Sequence, residues 1–181
     1  MAVPYSGQRV AIFVDVQNIY HSAKHLHHAR VNFKELLRTA TGDRPLLRAV
    51  AYVVKSDTAL GEESFFEALK QTGFELRLKD LQIYPDGSKK ADWDIGMAID
   101  AVRLAGSVDT IILVTGDGDF VPLVEYLKWG LGKQVEAVAF RRSASAKLKE
   151  SVDRFTDIES IPRILLKIRE RREKSTSRQN K

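Results

Sequence analysis

The sequence "RVAIFVDVQNIY", residues 9–20, joins an apolar run to a polar, helix-like segment at a single aspartate. The run is rich in β-branched and aromatic residues, which is typical of a buried β-strand. It ends in Asp15, and Asn18 follows three residues later. Since the end of a strand has no structural need for an acid, Asp15 raises the question of which other groups meet it in the folded chain.

Four more apolar runs follow along the chain, and segments with helical spacing fill the intervals between them. The five predicted strands are residues 9–15, 47–54, 74–78, 110–115 and 134–140. The predicted helical segments are residues 17–28, 33–39, 60–71, 92–105 and 120–129. Strands that alternate with helices form a mainly parallel sheet covered on both faces. The pattern therefore predicts an α/β fold, a three-layer sandwich of Rossmann-like type, over residues 7–160.

Residues 161–181 are predicted to lie outside that domain. Residues 161–171 carry their isoleucines and leucines on one stripe, which is typical of an amphipathic helix. The residues beyond it are polar and basic, and we expect them to be disordered. The chain has a net charge of +5, and residues 141–181 alone sum to +7. This basic segment suggests a polyanion such as nucleic acid as partner, and the amphipathic stripe suggests packing on the same domain or in a homodimer.

The composition narrows the possible chemistry. The chain has 181 residues, of which 44% are hydrophobic, so it is long enough and apolar enough for one globular domain. It contains no cysteine, which excludes disulfides, zinc–thiolate sites and thiol catalysis and is typical of a cytoplasmic protein. Its apolar runs are far shorter than a membrane span, so no membrane partner is expected. Neither a G-x-S-x-G motif nor a P-loop is present.

Acids from three separate segments are predicted to meet at one edge of the sheet. In a parallel sheet, the carboxyl ends of the strands and the amino ends of the following helices share that edge. Asp15 closes the first predicted strand, Asp117 and Asp119 follow the fourth, and Asp92 and Asp94 open the helix at 92–105. Each of the four acids other than Asp15 has an ordinary structural interpretation as a helix cap, a first-turn residue or a turn residue.

Taken together, the carboxylates favour a cation site. They would repel one another unless a cation or protonation intervened, and Mg²⁺ binds through a few carboxylates and waters. Asn18 lies one helical turn beyond Asp15 and can orient a carboxylate or a phosphate without adding charge. Thr115 can hydrogen-bond an acid or a water. Gly116 and Gly118 suit a close backbone approach to a ligand or a positive φ.

Four stretches of the sequence carry a family resemblance. They are "FVDVQNIY", "KKADWDIGMAIDA", "LVTGDGDFVPLVEYLKWGLGKQVEAVAF" and "SASAKLKESVDRFTDI". Together, in this order and at this spacing, they resemble the NYN domain, in particular its LabA-like branch, within the PIN-like nucleases. The resemblance covers residues 9–158. It implies a PIN-like fold and a ribonuclease that depends on Mg²⁺ or Mn²⁺.

The resemblance also implies roles for individual residues. The implied metal ligands are Asp15, Asp94, Asp117 and Asp119. Asn18 is implied as a catalytic companion of these acids. Asp92 and Thr115 are expected around the ligands. Asp100 lies about 240° around the helix from Asp94, which favours a structural or outer position.

Basic residues are expected on the rim of an acidic cavity that binds RNA. Lys89 and Lys90 precede the helix at 92–105, and Arg141, Arg142 and Ser143 follow the fifth strand, so both groups are candidates for binding phosphate. Single-stranded RNA is the favoured substrate, because a narrow cleft admits one strand and basic side chains can follow its backbone.

Two other functions use the same scaffold. A regulatory module without turnover would bind RNA or a protein through this edge and the basic C-terminal segment. A phosphotransfer receiver or phosphatase of flavodoxin-like topology also places acids at strand ends. It needs a lysine at the end of the last strand, where this chain has Phe140 and Arg141. The sequence therefore favours the ribonuclease, then the regulatory module.

Overall fold

A six-stranded parallel sheet lies at the centre of the computed structural model, which describes residues 6–55, 62–83, 89–90 and 92–167. Its strands are β1 Val10–Asp15, β3 Leu46–Lys55, β4 Glu75–Asp80, β7 Thr110–Val114, β8 Gln134–Ala139 and β9 Arg154–Asp157. They lie side by side in the order β4-β3-β1-β7-β8-β9, and every pair is parallel. The sheet confirms the predicted α/β fold.

Helices cover both faces of this sheet. The helices on one face are α1 Val16–His27, α2 Phe33–Thr41 and α3 Glu62–Thr72. The helices on the other face are α4 Asp94–Ala105, α5 Val121–Glu125 and α6 Ala146–Ser151. The described residues also form two 3₁₀ turns, Gly118–Phe120 and Ile158–Ser160, and a π-helical segment, Tyr126–Gly130. Within β1, Ile12 and Val14 pack on the α2 side and Phe13 packs on the α4 side, as a doubly covered strand requires.

The sixth strand of the sheet, β9, was absent from the five predicted strands. Its sequence "RFTD" is only four residues long and contains one large apolar residue, so it shows no apolar run. Four short strands form two antiparallel pairs away from the main sheet. They are β2 Ala29–Val31, β5 Gln82–Ile83, β6 Lys89–Lys90 and β10 Leu165–Lys167.

The amphipathic helix predicted at 161–171 does not form over its described part, residues 161–167. Ile161 and Ile164 are buried in the core on the α1 side, as their spacing requires. The backbone between them turns instead, with Arg163 at a φ of 59°, and then runs into β10 beside β2. The spacing i, i+3 fits one tight turn as well as a helix, and the peptide N–H of Asn32 fixes the turn by donating to Ile164 O at 2.7 Å. Residues 168–181 lie outside the described part.

The strand order places the candidate site. From β1 the chain passes to β3 and β4 on one side of the sheet, and later to β7, β8 and β9 on the other. The order therefore reverses between β1 and β7, and ligands of open α/β sheets bind at the carboxyl edge beside such a reversal. Asp15 ends β1, and the turn from Thr115 to Asp119 follows β7, so both reach that edge.

A buried ion pair joins the loop after α2 to β8. Two nitrogens of Arg44 donate to the two carboxylate oxygens of Glu136, at 2.8 and 3.1 Å, and each side chain is 4% exposed. Arg44 also donates to the carbonyls of Ala40 and Thr41, which end α2. Both carboxylate oxygens and four of the five guanidinium N–H donors are thus engaged, which helps the core to tolerate two charges. Among the described residues, no helix is long and apolar enough to cross a membrane.

Candidate metal centre

Asp15 occupies the junction between β1 and α1. Its Oδ1 accepts a hydrogen bond from the peptide N–H of Asn18 at 3.0 Å and so caps α1. The acid at the strand end therefore has a structural task in addition to the predicted one. Its side chain is half-buried and lines a cavity at the carboxyl edge. Burial raises the pKa of Asp15 despite the bond from Asn18, and the charge of Asp117 raises it further.

Asp94 reaches the same cavity from the first turn of α4. Its carboxylate is half-buried, and the helix dipole at this position favours a negative charge. The surroundings oppose that preference. Burial raises the pKa of Asp94 to about 6, and the nearby charges of Asp117, Asp15, Asp92 and Asp119 add to the rise.

Asp117 and Asp119 lie in a turn that is folded by its own side chains. The hydroxyl of Thr115 accepts from the peptide N–H of Asp117 at 3.2 Å. Asp117 Oδ1 accepts from the peptide N–H of Asp119 at 3.0 Å and so caps the 3₁₀ turn. Thr115 is fully buried, and its contact is to the backbone of this turn. These local bonds fix the direction in which the two acids leave the strand.

Three of the predicted ligands form a group that can hold a metal ion. One carboxylate oxygen each from Asp94, Asp117 and Asp119 lies within 4.8 Å of the others. Asp15 lies beside this group, close enough for its charge to raise the pKa of Asp94. Among the described residues, no lysine or arginine pairs with any of these four acids. Oxygen-only donors with unbalanced negative charge suit a hard divalent cation.

The cavity at this edge is acidic on one side and aromatic on the other. Its lining residues are Asp15, Gln17, Asn18, Tyr52, Asp92, Trp93, Asp94 and Asp117. The rings of Tyr52 and Trp93 lie 5.4 Å apart, and the indole N–H of Trp93 donates to Val53 O at 3.0 Å. The prediction from sequence did not include Tyr52. Tyr52 lies near the end of the predicted strand 47–54, and this position was the signal that could have placed it at the same edge. In the structure it is paired with Asp15 in the register of β1 and β3.

Asn18 holds the two acidic segments together. Its side-chain Oδ1 accepts from the peptide N–H of Gly116 at 2.9 Å, across 98 residues of sequence. The peptide N–H of the same residue donates to Asp15. Asn18 therefore ties the acid that ends β1 to the turn that follows β7. This contact makes it a positioning residue of the site, in addition to its place in the cavity lining.

Gly116 and Gly118 serve packing rather than the predicted positive φ, which neither residue adopts. A Cβ on Gly118 would lie 2.8 Å from the hydroxyl of Ser145, and one on Gly116 would lie 3.1 Å from the backbone of Ala144. The peptide N–H of Ser145 donates to Gly116 O at 2.9 Å. The close approach predicted here is therefore made by residues 144–145 of the same chain.

Asp92 and Asp100 lie outside the group formed by Asp94, Asp117 and Asp119. Asp92 is exposed at the cavity, where its backbone carbonyl accepts from Lys79 Nζ at 3.0 Å. Asp100 lies farther along α4 and accepts from the Tyr52 hydroxyl at 3.0 Å. Burial and this bond raise the pKa of Tyr52, which keeps the phenol protonated as a donor. Asp100 thus supports the cavity wall from outside, as its angle from Asp94 predicts.

The predicted phosphate-binding residues are not gathered around this cavity in the described part of the chain. The side chains of Lys89 and Lys90 lie outside that part. Arg141 pairs with Asp157 at 3.4 Å, and Ser143 contacts the hydroxyl of Ser22 at 3.1 Å. Arg142 is exposed on the same loop. Residues 141–143 thus face the β9 and α1 side of the edge, so their role in binding RNA stays a prediction.

Comparisons with known proteins decide the family. The sequence pattern of the NYN domain matches residues 9–159. The chain belongs to the NYN domain family. It is also 28% identical, over 168 residues, to the low amplitude and bright protein LabA of Synechococcus elongatus, with 87% of each chain covered. The LabA-like relationship inferred from the four stretches is thereby confirmed.

A solved structure has the same fold as this NYN domain. It is a protein of unknown function from Vibrio parahaemolyticus, with a TM-score of 0.81 and 33% sequence identity. The match covers 91% of this chain and 100% of that one.

Proposed function

We propose that this NYN domain is an endoribonuclease that hydrolyses phosphodiester bonds in single-stranded RNA with Mg²⁺ or Mn²⁺. The observation that carries the proposal is the group formed by Asp94, Asp117 and Asp119, whose carboxylate oxygens lie within 4.8 Å of one another. These three residues would hold the ion, with Asp15 beside them. The NYN pattern over residues 9–159 and the resemblance to PIN-like nucleases support RNA as the substrate.

The chemistry follows from the donor set. A hard divalent cation supplies Lewis acidity toward a phosphodiester and the attacking water. The protein supplies fixed carboxylates, because Asn18 and Thr115 hold the segments that carry Asp15 and Asp117. Burial is the main cause of the raised pKa of Asp94, about 6, and the charges of the nearby acids add to it, so the negative charge of the site is unfavourable before an ion enters. Tyr52 and Trp93 line one side of the cavity with aromatic rings.

Cleavage of a circular single-stranded RNA tests the proposal, because only an endonuclease can open a circle. We expect linear products in Mn²⁺ or Mg²⁺ and none in EDTA. Asp117→Asn should lower the rate by at least about 100-fold, since a lost ligand removes charge stabilisation of several kcal/mol.

Asp109→Asn is the matched control, because it makes the same chemical change at the opposite edge of the sheet. Asp109 precedes β7 and pairs with Arg9 at 3.1 Å. We expect this variant to cleave at the rate of the wild type. Binding of RNA without any opening of the circle would instead identify a regulatory module.

A further inference from the structure

A second cavity lies on the α4 face of the sheet, beside the acidic one. Its lining residues are Arg48, Val50, Glu75, Arg77, Asp100, Arg103 and Leu104. They come from β3, from the edge strand β4 and from the last turns of α4. The two cavities meet at one hydrogen bond, since Tyr52 lines the first, Asp100 lines the second, and the hydroxyl of Tyr52 donates to Asp100.

The second cavity is rich in arginine. Arg48, Arg77 and Arg103 have side chains that are 48%, 50% and 74% exposed. Glu75 pairs with Arg48 at 2.6 Å. Asp100 is 17% exposed, accepts from the Tyr52 hydroxyl and pairs with Arg77 at 3.3 Å. Arg103 contacts Asp100 at a loose 3.8 Å. Three guanidinium groups therefore share two carboxylates, which leaves an excess of positive charge. The planar guanidinium donors suit the geometry of phosphate.

A lysine extends this charge to the acidic cavity. Lys79 lies two residues beyond Arg77 on β4, so the two side chains share the α4 face of the sheet. Its Nζ lies 5.7 Å from the centre of the Trp93 ring and donates to Asp92 O. Cationic side chains thus run along β4 from the aromatic wall of the first cavity into the second.

We propose that Lys79, Arg77, Arg48 and Arg103 form a basic groove that binds the sugar-phosphate backbone of a single strand. The inference rests on the proposed function for one point, that the scissile phosphate lies at Asp94. Arg103 is nine residues beyond Asp94 on α4, about 13 Å along the helix. The groove therefore contacts phosphates away from the cleavage point. It defines the path of the strand, from the acidic cavity to the arginine-lined one.

Binding of labelled oligonucleotides of increasing length tests the groove. Every binding measurement uses the full chain carrying Asp117→Asn, so that no strand is cut. Binding is followed by fluorescence anisotropy at several salt concentrations. We expect affinity to rise with length until the strand spans both cavities. Adding Arg77→Gln and Arg103→Gln should remove that rise, weaken long strands by about tenfold and lower the logarithmic salt slope by about 1.4.

Two controls separate the groove from general charge and from misfolding. Arg38→Gln removes an exposed arginine that pairs with Glu35 on α2, on the opposite face of the sheet, and should leave the length dependence unchanged. Arg103→Lys keeps the charge and should retain most of the affinity that Arg103→Gln loses. An equal loss in Arg38→Gln, or unchanged binding of long strands in the double variant, would overturn the groove.

The outcome for the groove is separable from the outcome for hydrolysis. Groove-dependent binding together with an uncut RNA circle would support the groove and overturn the ribonuclease. RNA and DNA of one sequence should depend on the arginines alike, because the contacts are to phosphate. Dependence confined to RNA would contradict a phosphate contact.

Discussion

Glu136 and Asp94 are both acids that lose contact with water on folding, but Glu136 has a cationic partner and Asp94 has acidic neighbours. Glu136 receives two N–H donors from Arg44 in a core where both side chains are 4% exposed. Asp94 is surrounded by four acids, and its pKa is raised to about 6. The paired acid supports the fold, whereas the unpaired acids oppose it. Natural proteins retain such unpaired buried acids mainly at functional sites, which favours a ligand near Asp94.

The same substitution, carboxylate to amide, should have opposite effects in the two regions, and the larger effect is expected at Glu136. Glu136→Gln leaves the buried guanidinium of Arg44 without its counter-charge. We expect a loss of about 3–5 kcal/mol in the free energy of unfolding. Urea denaturation followed by circular dichroism measures it. The double variant Arg44→Met, Glu136→Leu removes both charges and should be close to wild type. A loss below about 1 kcal/mol in Glu136→Gln would contradict the pairing.

The second largest effect is expected from metal binding, which should involve the acidic cavity and not the Arg44–Glu136 pair. Mn²⁺ at about 100 times its dissociation constant should stabilise the wild type by about 2.7 kcal/mol, because the ion binds the folded chain. Glu136→Gln should keep this gain, although it starts from a lower stability. Asp117→Asn should lose it. Thermal unfolding with and without Mn²⁺ gives the comparison, and an equal gain in Asp117→Asn would place the ion elsewhere.

The smallest expected effect is a gain of stability at Asp94. Its pKa rises on folding from 3.8 to about 6, so ionisation costs stability as pH increases through that interval. Asp94→Asn should therefore stabilise the metal-free protein at pH 7 by about 1 kcal/mol, after allowance for screening by solvent. The gain should shrink as the pH falls through that interval and vanish below about pH 3, where the carboxyl is protonated in both states. Denaturation at pH 4 and pH 7 measures this difference, with Asp109→Asn as the control that should show no such gain.

Local patterns were sufficient for most of the fold. The five apolar runs became strands of the main sheet. The central strands β1 and β7 show the clearest runs, because doubly covered strands need continuous hydrophobic sequence. The strand β9 and the turn at 161–164 escaped prediction for related reasons. The first is too short and too polar to show a pattern, and the second shares its isoleucine spacing with a helix.

The candidate site was predicted less completely than the fold. The convergence of Asp94, Asp117 and Asp119 followed from the rule that strand ends and helix starts share an edge. The rule does not say which side chains hold the others in place. The bond from Gly116 to Asn18 and the bond from Tyr52 to Asp100 join residues 98 and 48 positions apart. Such contacts depend on strand order and register, which the local sequence does not encode separately.

Local sequence was enough to place Asp15 at the end of a strand, beside other acids at one edge of a parallel sheet. Periodicity and the topology of parallel strands suffice for that, since both act over short stretches of chain. Three features appear first in the folded structure: Asp15 caps α1, Asn18 ties it to the turn after β7, and an arginine-lined cavity adjoins the acidic one. These features require the packing of segments distant in sequence, which fixes angles and distances that no local pattern contains.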